Sequence, residues 1–322
     1  MGCGRIPVTV VTGYLGAGKT SLLNHLLRGT ERRFAIIVNE YGDVGIDGDL
    51  IDSGAEDLIE LSSGCVCCVV RGDLIRTMRD LLRRDRGFDG ILIETTGLAN
   101  PAPVIQTFIA DQQLAAQCRL DAVVTVVDAL HAAGHLDASR DAADQIALAS
   151  VILLNKASEA PDPAATEARL RALNPMAPIH RIDRGRADPG LWMDTGDFDL
   201  GRIESLPPGG ADTHGHIAQD DIAALCLSAE ARFDPAVLEA WLGRLLAVRG
   251  ADILRTKGII DTGVPEMLAV QAVHMLLEGE FTRPWPDGPR QSRLVFIGRN
   301  LERKALREGF LACRVSETVQ GS

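Results

Sequence analysis

Gly13-Tyr-Leu-Gly16-Ala-Gly18-Lys19-Thr20 follows an apolar run, Pro7-Val-Thr-Val-Val-Thr12, and opens a helical one. Its glycines let the chain turn tightly and bring backbone N–H groups onto phosphate oxygens with no Cβ in the way. Such a loop belongs at the junction of a buried strand and a helix whose positive N-terminal end faces the phosphates. That requirement commits the first part of the chain to an α/β fold. Lys19 is positioned to reach the outer phosphates, and the Thr20 hydroxyl to bind Mg²⁺ beside them. The predicted nucleotide-contacting set here is Gly13, Gly16, Ala17, Gly18, Lys19, Thr20 and Ser21.

The surrounding pattern agrees. Short aliphatic runs without clean alternation predict strands buried on both faces at Pro7–Gly13, Phe34–Asn39, Gly90–Glu94, Ala122–Val127, Ser150–Leu154 and Ile179–Ile182. Lys19–Arg28 reads as a helix, and the whole as a mostly parallel sheet covered by helices. From about Asp183 to Ala218 the pattern dissolves into Gly, Pro and Asp, the composition of a linker. Beyond it, strands are expected at Ile222–Ala229, Ile253–Ile260, Ala269–Leu277 and Arg293–Ile297. Helices are expected at Pro235–Val248 and Leu301–Leu311. The expected organisation is therefore a nucleotide domain over 1–196, a linker over 197–218 and a smaller α+β domain over 219–322.

Two further segments complete a nucleotide site. Ile91-Leu-Ile93-Glu94 is an apolar strand ending in a carboxylate that can hold Mg²⁺ through water, and Gly97 can swing to meet a γ-phosphate. Lys19, Thr20, Glu94 and Gly97 are the predicted catalytic group. Asn155-Lys156 stands where a guanine-reading Asn-Lys-x-Asp would lie, but position 158 is Ser and position 159 is Glu. A hydroxyl cannot make the forked, charge-assisted contact of a carboxylate. Either Glu159 reaches the base or base selection is relaxed; GTP is the expected nucleotide.

Between these segments lies Gly64-Cys65-Val66-Cys67-Cys68. Thiolates select Zn²⁺, Cu⁺ or Co²⁺ over Mg²⁺, and tetrahedral coordination needs one or two ligands from elsewhere. A permanent structural zinc is the rival to a transient site, and a redox pair is disfavoured by the spacing. His214 and His216, with Asp212, Asp220 and Asp221, form a looser candidate against the ordinary reading of a solvated loop. Cys3, Cys118, Cys226 and Cys313 are scattered and make no disulfide framework, which suits a reducing cytosol. The last three read as ordinary small apolar residues.

A net charge of −11 argues against nucleic-acid backbone as a partner. No stretch approaches a membrane span, and the first residues lack the apolar run of a secretory signal. Gly2 and Cys3 hint at acylation, but Ile6 stands where a myristoylation signal wants Ser or Thr.

Taken in order, Gly13–Thr20, Asn39-Glu40-Tyr41-Gly42, Gly64–Cys68, Glu94–Gly97 with Leu98-Ala-Asn-Pro101, and Asn155-Lys156 resemble the motifs of P-loop GTPases acting in metal insertion and metalloenzyme maturation. Within that group the chain is most similar to the CobW-like metallochaperones, over nearly its whole length. The resemblance implies slow GTP hydrolysis, dependence on Mg²⁺ (at Thr20 and Glu94), and capture of Zn²⁺ or Co²⁺ by Cys65, Cys67 and Cys68. It makes Glu40 a further metal or Mg²⁺-shell carboxylate. It also implies a client metalloprotein in zinc homeostasis, cobalamin biosynthesis or metalloenzyme activation, and leaves monomer and homodimer both open. Two other outputs compete: protein assembly by a GTPase with structural zinc, and a nucleotide-binding metal buffer or sensor.

Overall fold

The computed structural model describes residues 4–39, 57–61, 69–84, 87–195, 203 and 222–315. The chain divides into two compact units, Met1–Asp197 and Phe198–Ser322. In the first, β1 (Ile6–Thr12), β2 (Phe34–Asn39), β3 (Asp57–Leu61), β4 (Gly90–Glu94), β5 (Cys118–Asp128), β6 (Val151–Asn155) and β7 (Ile179–Arg181) form one sheet. Their order is β3-β2-β4-β1-β5-β6-β7 and every neighbouring pair is parallel. The helices between them are α1 (Lys19–Arg28), α2 (Val69–Arg84), α3 (Ala102–Ala110), α4 (Gln112–Gln117), α5 (Ala132–Ala138), α6 (Arg140–Leu148) and α7 (Pro163–Leu173).

Parallel strands need crossover helices, and these cover both faces, so successive residues must all be apolar. Phe34, Ile36 and Val38 of β2 pack on one side with Leu92, Leu22, Leu23 and Leu26. Ala35 and Ile37 pack on the other with Val8, Val10, Ile91, Ile93, Leu74, Met78 and Phe108. Strand order reverses around β1, whose neighbours are β4 and β5. In open α/β sheets the crevice beyond the carboxyl ends of strands at such a point is where ligands bind.

The second unit is an antiparallel sheet of β8 (Ile222–Ala229), β9 (Ile253–Ile260), β10 (Glu266–Val273), β11 (Leu276–Pro284) and β12 (Ser292–Arg299), in the order β11-β10-β9-β12-β8. Helices α8 (Pro235–Arg249) and α9 (Arg303–Ala312) accompany it. Leu238, Leu242 and Leu246 recur every four residues, one helical face, and meet Leu306, Phe310, Leu294 and Phe296 in one core. Phe233 stacks on Phe310 with ring centroids 4.4 Å apart. Among the described residues, no helix is long and apolar enough to cross a membrane.

Two sequence expectations are corrected. The strand expected over 269–277 is two strands joined by a hairpin turn: β10 ends at Val273, which pairs with Leu276 of β11, and His274 and Met275 make the two-residue loop. His274 takes φ +53° and its Nδ1 lies 2.7 Å from the Gly250 carbonyl oxygen. With no Gly or Asn marking the turn, the apolar run hid it. The linker expected from Asp183 also starts too early. Ala187, Trp192 and Met193, all beyond Asp183, belong to the first unit's core, and Trp192 is fully buried.

Trp192→Ala should therefore lower the stability of the first unit by about 3–5 kcal/mol, the range for removing a buried aromatic. Trp192→Phe should cost much less, since the indole N–H has no partner among the described residues. Thermal melting of the two variants against the parent checks both.

Candidate functional site at the phosphate loop

Helix α1 starts at Lys19, directly after Gly18, whose φ of +102° only glycine adopts without strain. A Cβ at Gly18 would lie 2.4 Å from Asn155 Nδ2, and one at Gly13 would lie 2.1 Å from the Val126 carbonyl oxygen. Side chains are thus excluded from both ends of the loop. Lys19 is buried and its Nζ donates to the Gly13 carbonyl oxygen at 3.0 Å, folding the ammonium back across the loop. Ala17 is fully buried, whereas Ser21 sits on the exposed side of α1 beside Asn24, His25 and Arg28.

Thr20 Oγ1 donates to Glu94 Oε1 at 3.2 Å. A hydroxyl and a buried carboxylate meeting at the phosphate end of a P-loop are hard oxygen donors of the kind Mg²⁺ prefers. Downstream, Thr95 is tied to β1 twice: its N–H donates to the Val11 carbonyl at 3.0 Å, and its Oγ1 donates to Thr12 Oγ1 at 2.8 Å. Gly97 then passes so close to the loop that a Cβ there would lie 2.7 Å from Leu15 N. From α6, buried Gln145 donates its Nε2 to the Gly97 and Ala99 carbonyls at 3.2 and 3.1 Å. Asn100 Nδ2 donates to Asp144 Oδ2 at 3.0 Å, pinning the end of the same segment.

On the other side, Asn155 Nδ2 donates to the Ala17 carbonyl at 2.8 Å and Asn155 Oδ1 accepts the Gly185 N–H at 3.1 Å. Lys156 Nζ donates to the Gly16 carbonyl at 3.1 Å and to Asp128 Oδ2 at 2.6 Å. His131 Nδ1 is 3.0 Å from the same Asp128 oxygen. His131 stacks on His135, whose ring centre lies 4.2 Å from that of Tyr14. Burial acts to raise the Asp128 pKa, but hydrogen bonds from Lys156, His131 and the Leu130 N–H outweigh it and hold the pKa below its ordinary value. Burial and the neighbouring His131 lower the pKa of His135.

The structure thus gathers Gly13, Gly16, Ala17, Gly18, Lys19, Thr20, Glu94, Gly97, Asn155 and Lys156 at one end of the sheet. Glu40, Cys65, Cys67, Cys68, His214 and His216 lie outside the described residues. Among the described residues, no group of three His, Cys, Asp or Glu side chains could hold a metal. Cys118, Cys226 and Cys313 are buried thiols, and burial pushes the Cys118 thiol up to about 11, as expected of inert packing residues. Asp128 and Gln145 were not anticipated. Asp128 ends an apolar strand as Glu94 does, a signal that was present; Gln145 carries no local signal.

A carboxylate whose pKa falls on folding adds stability above its unfolded pKa and loses it as pH drops through the folded one. Asp128→Asn should therefore lower the melting temperature at neutral pH. It should also flatten the fall in melting temperature below about pH 4, the unfolded aspartate range, in a pH series beside the parent.

Comparison with known proteins agrees with this geometry. Residues 7–181 match the nucleotide-binding domain described as CobW/HypB/UreG, and residues 222–314 match the cobalamin synthesis protein cobW C-terminal domain. The zinc chaperone YjiA of Escherichia coli is 35% identical over 96% of this chain and 99% of its own length. The zinc chaperone CobW of Pseudomonas aeruginosa is 34% identical over 94% and 90%. The crystal structure of Zn(II)-bound YjiA GTPase from E. coli superposes with a TM-score of 0.74 at 30% identity, covering 97% of this chain and 100% of that one. With a phosphate loop, an Asn-Lys clasp and both domains matched in order, the chain belongs to the CobW/HypB/UreG family of nucleotide-binding proteins.

Proposed function

We propose that the protein is a GTP-hydrolysing metallochaperone of the cytoplasm that captures Zn²⁺ or Co²⁺ through Cys65, Cys67 and Cys68 and delivers it to a client metalloprotein. The observation that carries this reading is the contact of Gly97 with the phosphate loop at Leu15, in a chain that is similar to zinc chaperones from end to end. The loop amides and Lys19 bind and orient the triphosphate. Thr20 and Glu94 would hold Mg²⁺, which when bound neutralises charge on the β- and γ-phosphates. Water attack on the γ-phosphorus releases inorganic phosphate and leaves GDP.

The metal-binding run begins in sequence just after β3, and Glu40 just after β2. Those two strands end on paired residues, Asn39 and Leu61. Both segments therefore leave the sheet at its carboxyl edge, where the phosphate loop also leaves β1. In this reading the γ-phosphate orders the segments around Glu40 and Gly97 and completes the thiolate site. Hydrolysis removes that contact and makes the metal transferable. Linkage then requires metal to tighten GTP by the factor with which GTP tightens metal.

Competitive Zn²⁺ titration of the purified protein with Mg²⁺ and GTP or GDP should show at least about fivefold tighter metal in GTP, the lower end of ordinary coupling. Equal affinities in the two states would sink the gating. Cys67→Ser should abolish metal binding and leave the melting curve in place; an unfolded first unit would mark the zinc as structural. Gly97→Ala should slow phosphate release about tenfold or more and also lower the melting temperature, because the new Cβ overpacks the Leu15 backbone at a cost of about 1–3 kcal/mol.

A further inference from the structure

Position 158, where an Asn-Lys-x-x run needs a base-reading carboxylate, holds a serine. Guanine presents two donors side by side, its ring N1–H and its 2-amino group. Adenine presents a lone pair and a C–H on the same edge. A carboxylate with two adjacent acceptor oxygens fits the first and repels the second.

The fold brings a carboxylate to position 158 from another strand. β7 runs parallel to β6, so the loops after Asn155 and after Arg181 emerge side by side. The Ala157 N–H donates to the Ile182 carbonyl at 3.3 Å, and the next residue, Ser158, donates its N–H to Asp183 Oδ1 at 2.9 Å. Two residues further on, the Gly185 N–H reaches Asn155 Oδ1, so the Asp183 loop is locked to the Asn-Lys clasp. Gly185 is itself wedged on α1, where a Cβ would lie 2.7 Å from Leu22 N.

Asp183 is half-buried, and although Arg184 and Arg186 flank it, it makes no ion pair among the described residues. Its Oδ2 has no partner among the described residues, and Oδ1 retains acceptor capacity beyond the Ser158 bond. Glu159 is the competing carboxylate. It is exposed, its backbone is spent in a turn to the Lys156 carbonyl, and no loop anchors its side chain among the described residues.

We propose that Asp183 is the guanine-reading residue of this chain, supplying across the β6–β7 pair the carboxylate that position 158 lacks. The inference rests on the reading of the protein as a GTPase, and it assigns base selection to a residue outside the Asn-Lys segment.

The test is equilibrium binding of GTP, xanthosine triphosphate (XTP) and ATP, with Mg²⁺, to the full chain and its variants. Asp183→Asn keeps a carbonyl oxygen to accept the Ser158 N–H, so its melting curve should match the parent's. It should weaken GTP by about tenfold or more, the scale of one lost charged hydrogen bond. XTP should tighten, because xanthine offers a carbonyl that the new amide can donate to, while ATP stays unchanged. The exchange variant, Ser158→Asp with Asp183→Ser, should restore preference for GTP and serves also as the control for folding. A parent that prefers GTP, with a GTP/XTP ratio unmoved by Asp183→Asn, overturns the inference alone, whether or not Glu159→Gln moves that ratio. A parent that binds ATP as tightly as GTP overturns the GTPase reading as well, before any variant is made.

Discussion

One buried side-chain amide, that of Asn155, holds the two halves of the nucleotide end together. Its N–H₂ donates to the Ala17 carbonyl and its carbonyl oxygen accepts from Gly185, while the residue is only 2% exposed. A carboxylate could not donate and an apolar side chain could do neither, so the position needs a group with a donor and an acceptor in one plane. A buried polar group left unsatisfied would be costly, and here both ends are matched. The same amide fills the space that a side chain at residue 18 would need. The amide therefore ties the phosphate loop at Ala17 to the loop after β7 at Gly185.

Across the sheet from that clasp, the segment after β4 is attached by a different principle. Thr95 and Thr12 join it to β1 by hydroxyl and backbone bonds. Gln145 then holds the Gly97 and Ala99 carbonyls, two residues apart, from α6. Gly97 touches the phosphate loop through backbone proximity, with no charge involved. A contact of that kind responds to displacement of the loop by a fraction of an ångström, because close-packed atoms transmit a shift and cannot absorb it.

Electrostatics around the loop follow the same economy. Lys19 and Lys156 both lie against loop carbonyls, and Asp128 balances the second of them from the end of β5. Glu94 stands opposite Lys19 in that count, so the described side chains leave the site close to neutral. Attraction for phosphate then rests on the loop amides and the positive N-terminal end of α1.

Local patterns in the chain marked most strands of the first sheet, because a strand covered on both faces must be apolar throughout, but β3 and β11, whose runs carry Asp, Glu and Arg, went unmarked. They also determined where phosphate would sit, because glycines, Lys19 and Thr20 carry that chemistry within eight residues. What they could not contain was the pairing of remote loops. Gln145 meets Gly97 across 48 residues, and Asp183 meets Ser158 across 25. Both meetings follow from strand order and helix placement, which no local period or turn signal encodes. The Asp-, Gly- and Pro-rich run after Asp183 resembles a linker by composition, yet its Trp192 is driven into the core because a large apolar ring is stabilised only where neighbours exclude water. Composition announced the turn residues there; only the packed structure decided which of them belonged inside.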